Sequence, residues 1–307
     1  LRIITKLHRL IGKNGMHLTS AVMDTIIKYP CDSLTMMKEK QKPKHERNLL
    51  KKKIGYFQSE QEQFAIIKNN TGTRNTRNPL CFLLEAADDL AYTFADLEDG
   101  YNKGLYTYQD LLDVVIKAGD EKGKALLEKE LENGIQEQIG SKTSVDPYKY
   151  AVFSWLTKKQ LYSVSRVSDA FILHYDEIMN GEFFDELITE SSEGKLINAL
   201  KEFAYRRIYC HSSILKLELM GNEILSFLLD RFVDALLPYD TDIEITEIQK
   251  KYIDLLSQNY LEQYHETAKT VKSEEDKVYA RLLLATDFIA GMTDSYAKRL
   301  YQELRGI

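Results

Sequence analysis

The sequence has little of several residue types that usually define a class of protein. Its 307 residues include three cysteines, five prolines and one tryptophan. Cys31, Cys81 and Cys210 are far apart and form neither a CxxC pair nor a disulfide framework, which is typical of a reducing compartment. No run of about 18 apolar residues occurs, and no signal-peptide pattern is visible, so we expect no transmembrane helix and a cytoplasmic location.

Several well-known catalytic patterns are also missing. The sequence contains no GxxxxGK[ST], no GxGxxG and no GxSxG, so P-loop, dinucleotide-binding and hydrolase-elbow chemistry have no support. Strict apolar and polar alternation never extends beyond about five residues, which argues against extensive β-sheet. No repeat of solenoid period occurs either. The sequence therefore predicts an all-α protein.

One stretch, residues 79–99, has the strongest helical pattern. Asn78 is a suitable N-cap, and Pro79 at the first helical position loses no hydrogen bond. Apolar residues recur at the spacing of a helix face that packs against a core. These are Leu80, Leu83, Leu84, Ala87, Leu90, Ala91, Phe94 and Leu97.

Polar residues form a second line on the same predicted helix. Asp88, Tyr92 and Asp96 are four apart, so their side chains stack along one side, turn over turn. In a structural interpretation they cap neighbouring helix ends or pair with Arg and Lys. In a functional interpretation Asp88 holds a metal ion while Tyr92 and Asp96 face a ligand. Spacing alone leaves both open.

Charge is distributed unevenly along the chain. Residues 1–80 contain 16 Lys and Arg against 6 Asp and Glu, whereas the rest contains 25 against 41. Such asymmetry indicates that the first part meets an anion, or that the basic and acidic parts pack together. A nucleic-acid surface at the lysine-rich residues 38–53 is a third interpretation, and a polyphosphate fits equally well.

The rest of the chain is predicted as a succession of helices and connectors. Residues 1–11 have a helical pattern without a cap before it, so we expect a helix that begins upstream. Ser59 resembles an N-cap. In the first half we expect a turn at 12–15, helices over 18–29 and 59–67, an exposed loop over 31–53, a helix over 108–118 and short surface helices over 119–145. Further helices should start at Pro147, with a core of Val152, Phe153, Trp155, Leu156, Leu161, Val164 and Val167. In the last third we expect two helices over 196–237 with a kink near Gly221, a break at Pro238, and helices over 245–264 and 277–304.

Two runs resemble a known family. Residues 78–99, NPLCFLLEAADDLAYTFADLED, closely resemble the last metal-binding helix of the HD-domain deoxyguanosinetriphosphate triphosphohydrolases. Residues 287–297, DFIAGMTDSYA, resemble the C-terminal signature of that family. Weaker matches in the expected order are LRIITKL at Leu1, KYP at Lys28, KIGYFQSE at Lys53 and residues 205–221. The resemblance covers nearly the whole chain.

The resemblance implies a fold and a domain arrangement. The fold would be an HD-domain-like helical bundle with a helical C-terminal extension. Residues 1–118 would be the C-terminal portion of the HD-type catalytic domain. Residues 119–307 would form a helical C-terminal region that packs on it.

The resemblance also implies a metal site of which this sequence contains one ligand. Asp88 matches the metal-ligating Asp, and Asp89 matches a supporting residue beside it. The metal would be Mn²⁺, Mg²⁺ or Co²⁺. No His in the sequence is followed by Asp, and the family places its His and His-Asp ligands before the segment that matches Leu1. The resemblance thus places the catalytic residues upstream of Leu1.

The same resemblance also implies substrate-binding residues. Tyr92 matches a Tyr that packs against deoxyribose and leaves no room for a 2′-hydroxyl. Asp96 matches an Asp that accepts a hydrogen bond from the sugar 3′-hydroxyl. Lys28, Tyr29 and Lys53 match positions associated with the triphosphate, where lysine supplies a point charge.

The implied activity is metal-dependent hydrolysis of dGTP, and of other dNTPs, to a deoxynucleoside and inorganic triphosphate. A homo-oligomer with a nucleotide activator at subunit contacts would accompany it. The alternative is a catalytically incomplete HD-like protein that senses nucleotides or binds nucleic acid through residues 38–53, as the missing HD pair would allow. The C-terminal run with Gly291, Thr293 and Asp294 is interpreted as packing near the site.

Overall fold

The computed structural model describes residues 1–8, 15–141, 146–271 and 273–307. All regular secondary structure in these ranges is helical, which confirms the all-α prediction. Two compact units are present, one of Leu1 with Leu18–Ile214 and one of Arg2–His17 with Leu215–Ile307. Within the described ranges, no helix has the length and apolar character needed to cross a membrane. The predicted boundary between residues 118 and 119 concerns the catalytic domain and stays a prediction.

The first unit contains ten α-helices among its described residues. They are α1 (Ser20–Thr25), α2 (Ser33–Gln41), α3 (Gln61–Thr71), α4 (Pro79–Asn102), α5 (Tyr108–Ala118), α6 (Glu121–Ser141), α7 (Pro147–Leu173), α8 (Tyr175–Asn180), α9 (Leu187–Glu190) and α10 (Gly194–Ala204). A π-helix, Tyr205–Tyr209, follows α10 directly. Single 3₁₀ turns cover Lys44–Glu46, Leu49–Lys51 and Gln58–Glu60.

The core of the first unit lies where α4, α6 and α7 pack together. Trp155 of α7 is completely buried, as predicted, and its indole N–H donates to the carbonyl of Gly123 at 2.7 Å. The hydroxyl of the buried Tyr106 donates to the carbonyl of Leu97 at 2.7 Å. These bonds satisfy the polar atoms of two large aromatic side chains. The first joins α7 to α6, and the second fastens Tyr106 to α4.

The second unit combines the N-terminal segment with the C-terminal helices. Its elements are the π-helix Ile3–Leu7, then α11 (Ser212–Leu236, all but its first three residues), α12 (Glu247–Asp254), α13 (Gln258–Ala268), α14 (Glu274–Ala290) and α15 (Asp294–Arg305). Phe232 and Leu228 of α11 and Ala285 of α14 are fully buried in its core. Arg2 makes a bidentate ion pair with Asp287, with Nε–Oδ1 at 2.7 Å and Nη2–Oδ2 at 2.5 Å.

Several helix boundaries agree with the sequence pattern. The helices at 79–99 and 108–118 are present, and α11 ends at Leu236, just before Pro238. Thr19 caps α1, although that helix ends at Thr25 rather than Tyr29. Of the predicted helix 1–11 and turn 12–15, residues 9–14 lie outside the described residues, and the described part is the π-helix Ile3–Leu7.

Other expectations were wrong, mostly in how segments join. Residues 31–53 contain α2, capped by Asp32, rather than only a loop. Residues 121–141 form one helix instead of several short ones. Ser59 caps no helix, because its hydroxyl donates to the carboxylate of Glu60 at 2.8 Å. Lysine-rich or glycine-containing segments can remain helical when one side is packed, and periodicity alone underestimates this.

The predicted kink near Gly221 was also wrong. Helix α11 continues through Gly221, and the interruption lies earlier, at the π-helix Tyr205–Tyr209. The two predicted C-terminal helices are each divided, into α12 and α13 and into α14 and α15. Thr293 begins α15 by accepting a hydrogen bond from the Tyr296 N–H, which is the N-capping preference of threonine. Leu161 and Val164 are exposed rather than in the core.

Candidate functional site

The helix that carries the predicted site is anchored at its first turn. The Oδ1 atom of Asn78 accepts from the Leu80 N–H at 3.0 Å, and the Nδ2 atom of Asn78 donates to Asp24 at 3.2 Å. Asp24 also pairs with Lys68 at 2.5 Å, and both side chains are buried. One network of an ion pair and hydrogen bonds therefore joins α1, α3 and the start of α4. A buried ion pair is tolerated inside a protein only when its atoms have such further hydrogen-bond partners.

The buried face of α4 agrees only in part with the predicted one, of which Leu90, Phe94 and Leu97 are buried. Its buried side chains are Cys81, Phe82, Ala86, Leu90, Thr93, Phe94 and Leu97. Leu80 and Leu84 are instead 56% and 45% exposed, and Ala87 and Ala91 are exposed as well. The helix is apolar on two sides, so the periodicity that predicted a helix could not select the side that meets the core.

Asp88, Tyr92 and Asp96 lie one turn apart along the outer side of α4. Asp88 is exposed, Tyr92 is 41% exposed and Asp96 is half-buried. The three side chains therefore offer a carboxylate, a phenol ring and a second carboxylate to one surface, next to the exposed Leu84. A ligand that lies along the helix would meet them in this order.

The last residue of this line is held from the π-helix. The hydroxyl of Tyr209 donates to Oδ2 of Asp96. Burial and the neighbouring Asp96 carboxylate both raise the pKa of Tyr209, so its phenol stays protonated and remains a donor. A π-helical turn shifts side chains relative to an α-helix and is frequent at functional sites. Here it brings Tyr209 to Asp96.

Lys201 of α10 supports the middle of the line. Its ammonium lies 2.6 Å from Oδ2 of Asp89 and 5.9 Å from the centre of the Tyr92 ring. The first contact is an ion pair between half-buried side chains. The second has the geometry of a cation–π interaction. Lys201 thus links Asp89 to Tyr92 and restricts where the Tyr92 ring can lie.

Glu85 organises the other end of the site. Its two carboxylate oxygens pair with Lys28 at 2.9 Å and with Arg77 at 2.5 Å. The Nε atom of Arg77 also donates to the Lys28 carbonyl at 2.6 Å, and its guanidinium lies 5.5 Å from the centre of the Tyr29 ring. Lys28 and Tyr29 are therefore brought to α4 by one carboxylate and one arginine.

A cavity of about 290 Å³ opens beside this group. It is lined by Thr25, Ile26, Lys28, Cys81, Leu84, Glu85 and Asp88. Burial lowers the pKa of Lys28, but its hydrogen bond to Glu85 and the charge of that carboxylate outweigh burial, so the pKa is raised overall. Burial raises the pKa of the Tyr29 phenol. The lysine is thus a persistent cation in the same cavity as Asp88.

Lys53 is connected to this group through its backbone atoms and not through its side chain. Its carbonyl accepts from the Cys31 thiol at 3.2 Å, and the Gly55 N–H donates to the Cys31 carbonyl at 3.0 Å. A Cβ at Gly55 would lie 1.5 Å from the Tyr29 carbonyl oxygen, so only glycine allows the two segments to cross this closely. The Lys53 side chain itself is exposed and does not line the cavity.

The predicted metal site needs more ligands than these residues provide. Within residues 1–8, 15–141, 146–271 and 273–307, no three His, Cys, Asp or Glu side chains come together as a metal site would require. Asp88 alone offers one carboxylate, whereas catalytic metal sites usually use at least three protein ligands. Among the described residues Asp88 is thus a single candidate ligand, and these residues by themselves do not fit a catalytic metal site.

Four residues of this site were not predicted individually from the sequence. Glu85 and Lys201 were unremarkable charged residues, and Arg77 was one of several basic residues in a connector. Tyr209 lay within a segment that matched the family, but no spacing connected it with Asp96. Their roles depend on contacts across up to 113 positions of sequence, which local patterns do not contain.

The predicted nucleic-acid surface has its own local structure. Glu39 is buried and accepts from the Asn48 N–H at 2.7 Å, and Arg47 donates to the carbonyls of Lys40 and Lys42 at 2.7 and 2.9 Å. The lysines at 38, 40, 44 and 52 are exposed. Binding of nucleic acid at residues 38–53 stays a prediction.

Comparisons with known proteins find a family match near the C-terminal end and relatives that cover nearly the whole chain. Residues 244–303 match the family described as the phosphohydrolase-associated domain. A deoxyguanosinetriphosphate triphosphohydrolase-like protein of Listeria monocytogenes is 39% identical over 100% of this chain and 64% of its own length. A protein of the same description from Synechocystis sp. is 28% identical over 100% of this chain and 63% of its own length.

The description of a further relative does not contain the word "like". The deoxyguanosinetriphosphate triphosphohydrolase of an Enterobacter species is 28% identical over 95% of this chain and 60% of its own length. The chain thus spans less than two thirds of the length of these curated relatives. Because the similarity to them extends over essentially all of its residues, these relatives and the family match support the HD-domain deoxyguanosinetriphosphate triphosphohydrolase family for this chain.

Proposed function

We propose that this chain binds the sugar and part of the phosphates of a deoxynucleoside triphosphate, as part of an enzyme that hydrolyses dGTP and other dNTPs to a deoxynucleoside and inorganic triphosphate. The observation that carries the proposal is the line of Asp88, Tyr92 and Asp96 on the outer side of α4, with Lys28 and Asp88 in one cavity. Membership of a phosphohydrolase family supports the reaction class.

Each residue has a physical role in this proposal. The Tyr92 ring packs on the deoxyribose and leaves no space for a 2′-hydroxyl. Asp96, oriented by the Tyr209 hydroxyl, accepts the sugar 3′-hydroxyl. Lys28 faces the phosphates from the cavity that Asp88 also lines. Lys53 and Tyr29 are proposed at the phosphate end as well, although the Lys53 side chain must move to reach it.

Asp88 is proposed as one ligand of a divalent metal, Mn²⁺, Mg²⁺ or Co²⁺, which would polarise a phosphoryl oxygen. Such a metal would need further ligands, because no group of three possible ligands occurs among the described residues. A homo-oligomer, a nucleotide activator and a cytoplasmic location remain predictions from the resemblance and the composition.

The test measures release of inorganic triphosphate from dGTP with added Mn²⁺. We expect Asp88→Asn to abolish turnover and Tyr92→Ala to reduce the preference for dGTP over GTP by roughly tenfold or more, since steric exclusion of the 2′-hydroxyl would be lost. Asp99→Asn, an exposed carboxylate on the same helix, is the matched control and should retain turnover.

Two results would contradict the proposal. Full turnover in Asp88→Asn would remove Asp88 as a ligand, and an unchanged dGTP preference in Tyr92→Ala would remove its role in sugar discrimination. Tight binding of dGTP without hydrolysis in every metal would favour the alternative, a nucleotide-sensing protein. Binding of DNA or RNA that weakens steeply with salt would favour the nucleic-acid interpretation of residues 38–53.

A further inference from the structure

Helix α2 has an unusual polarity, because a carboxylate is turned inward and apolar side chains are turned outward. Glu39 is buried, and its Oε1 atom accepts a hydrogen bond from the Asn48 N–H at 2.7 Å. Leu34 is 68% exposed and Met37 is 57% exposed. A surface helix usually packs its apolar residues on the core and leaves its charges in solvent. The reversed arrangement of α2 leaves an apolar surface without a partner among the described residues.

The orientation of α2 follows from its inward carboxylate. With about 3.6 residues per turn, Leu34, Met37 and Lys38 lie on the side of the helix opposite Glu39. The Oε2 atom of Glu39 lies 3.0 Å from the ammonium of Lys42, so both carboxylate oxygens have partners. Rolling the helix to bury the apolar side would break both contacts and leave the carboxylate without them. The apolar side is therefore held outward.

Positive charge surrounds this outward side. Residues 33–52 contain seven Lys and Arg against two Glu, and one of these two is the buried Glu39. Lys38, Lys40, Lys44 and Lys52 are exposed, and none of the four forms an ion pair with a described residue. The surface thus combines two long apolar side chains with an excess of unpaired cations.

A bilayer that contains anionic lipid is complementary to such a surface. Helices that lie in the membrane interface place apolar side chains at the acyl boundary and lysines among the headgroups. Juxtaposed lysines are attracted to the negative potential of an anionic leaflet. A second copy of this face would bring lysines against lysines. A nucleic acid would attract the lysines but offer little to Leu34 and Met37, because its bases stack on aromatic side chains.

We propose that α2 binds the surface of a bilayer containing anionic lipid, with Leu34 and Met37 inserted at the headgroup boundary and the neighbouring lysines against lipid phosphates. The association is weak and reversible, because two side chains bury less apolar surface than a single acyl chain, which by itself gives only marginal binding. Neither Leu34 nor Met37 belongs to the Asp88 site, so membrane binding and dGTP hydrolysis are separate readouts.

The test is co-sedimentation of the full chain with two kinds of vesicle, one of phosphatidylcholine alone and one of equal parts phosphatidylcholine and phosphatidylglycerol. We expect binding to the second kind only, weakening as salt is added. Leu34→Ser/Met37→Ser should lower the partition constant by roughly tenfold or more, because both side chains then gain nothing from leaving water. Lys38→Glu/Lys40→Glu should lower it by a similar factor, because repulsion replaces attraction.

Matched double variants elsewhere on the surface serve as controls. Leu161→Ser/Leu173→Ser removes two leucines of α7 that are 68% and 77% exposed, as exposed as Leu34. Lys250→Glu/Lys251→Glu reverses two exposed charges on α12. Both controls should bind anionic vesicles as the unaltered chain does. Circular dichroism should report the same helix content for every variant, since all the altered side chains are exposed.

Three results would overturn the proposal. One is the absence of sedimentation with anionic vesicles. Another is equal binding by the unaltered chain and by Leu34→Ser/Met37→Ser, which would leave only a general attraction between charges. The third is a single-stranded oligonucleotide that displaces the chain from vesicles and whose own binding depends on Lys38 and Lys40 but not on Leu34 and Met37. That result would assign the face to nucleic acid.

Discussion

At the scale of the residue, the site depends on hydrogen bonds that fix the direction of its side chains. A carboxylate such as Asp96 could rotate freely on a helix surface, but the Tyr209 hydroxyl holds one of its oxygens. The other oxygen is then free to accept a ligand hydroxyl. In the proposed site Tyr209 would therefore be a positioning residue that acts on a ligand through Asp96.

We expect Tyr209→Phe to lower kcat/KM for dGTP by roughly 10- to 100-fold, the effect of one lost hydrogen bond to a charged group. The loss should be much smaller for 2′,3′-dideoxyGTP, which has no 3′-hydroxyl for Asp96 to bind. Steady-state kinetics with both substrates measures the difference. Tyr205→Phe, in the same π-helix with an exposed side chain, is the control and should behave as wild type. Equal losses for both substrates would show that Tyr209 has a purely structural role.

At the scale of the element, the position of α4 depends on a buried ionic network. Asp24 of α1 pairs with Lys68 of α3 and accepts from Thr73 at 2.7 Å and from Asn78 at the start of α4. Burial opposes ionisation of Asp24, but the hydrogen bonds from Lys68 and Thr73 outweigh it, so its pKa is lowered. The network therefore functions only with Asp24 ionised.

We expect Asp24→Asn to reduce the free energy of unfolding by about 3–5 kcal/mol at neutral pH, because it leaves the Lys68 charge buried without its partner. A lowered folded-state pKa gives stability that is present above the ordinary value of 3.8 and is lost as the pH falls through the lower folded-state value. The difference between wild type and variant should accordingly narrow in acid.

Denaturant titrations at several pH values check this expectation. Glu62→Gln is the matched control, since Glu62 is an exposed carboxylate on the same α3, and its effect should stay within about 0.5 kcal/mol. A constant difference between wild type and Asp24→Asn down to pH 2 would contradict the assignment of the network to the ionised form.

The same scale shows why helix joints are hard to predict. Gly221 looked like a break because glycine is the weakest helix former after proline, yet nothing lies within 4 Å of where its Cβ would be and α11 simply continues. The actual joint, Tyr205–Tyr209, contains no glycine or proline. There the Tyr209 contact with Asp96 accompanies a π-helical path that the local sequence does not favour.

At the scale of the whole molecule, the ends of the chain meet within the second unit. Arg2 and Asp287 are separated by 285 positions, and both side chains are buried. The bidentate geometry is the strongest form of an arginine–carboxylate contact. The N-terminal segment is thus stabilised by its contact with the C-terminal helices of the same unit.

We expect Arg2→Met to lower the free energy of unfolding by about 3–5 kcal/mol, because the buried Asp287 carboxylate loses its bidentate partner. Thermal and denaturant unfolding measure the effect. Arg299→Met is the control, since the Arg299–Glu303 contact is exposed and 3.9 Å long, and its loss should cost less than about 1 kcal/mol. Similar effects of the two variants would mean that the Arg2 pair contributes no more than a surface contact.

The sequence by itself determined the fold class, the family resemblance and the helix that carries the candidate site. Periodicity and the Asn78-Pro79 start were sufficient for α4 because these signals are local and are encoded within a few turns. The line of Asp88, Tyr92 and Asp96 followed from helical geometry for the same reason.

Only the tertiary structure decided which face of α4 is buried and which distant residues reach it. Leu80 and Leu84 were as apolar as Phe82 and Leu90, and a hydrophobic pattern contains no information on what else packs nearby. Tyr209 and Lys201 reach Asp96 and Asp89 from 113 and 112 positions away. Such contacts are fixed by the packing of whole helices, because an interaction between two residues depends on their positions in space and not on their separation along the chain.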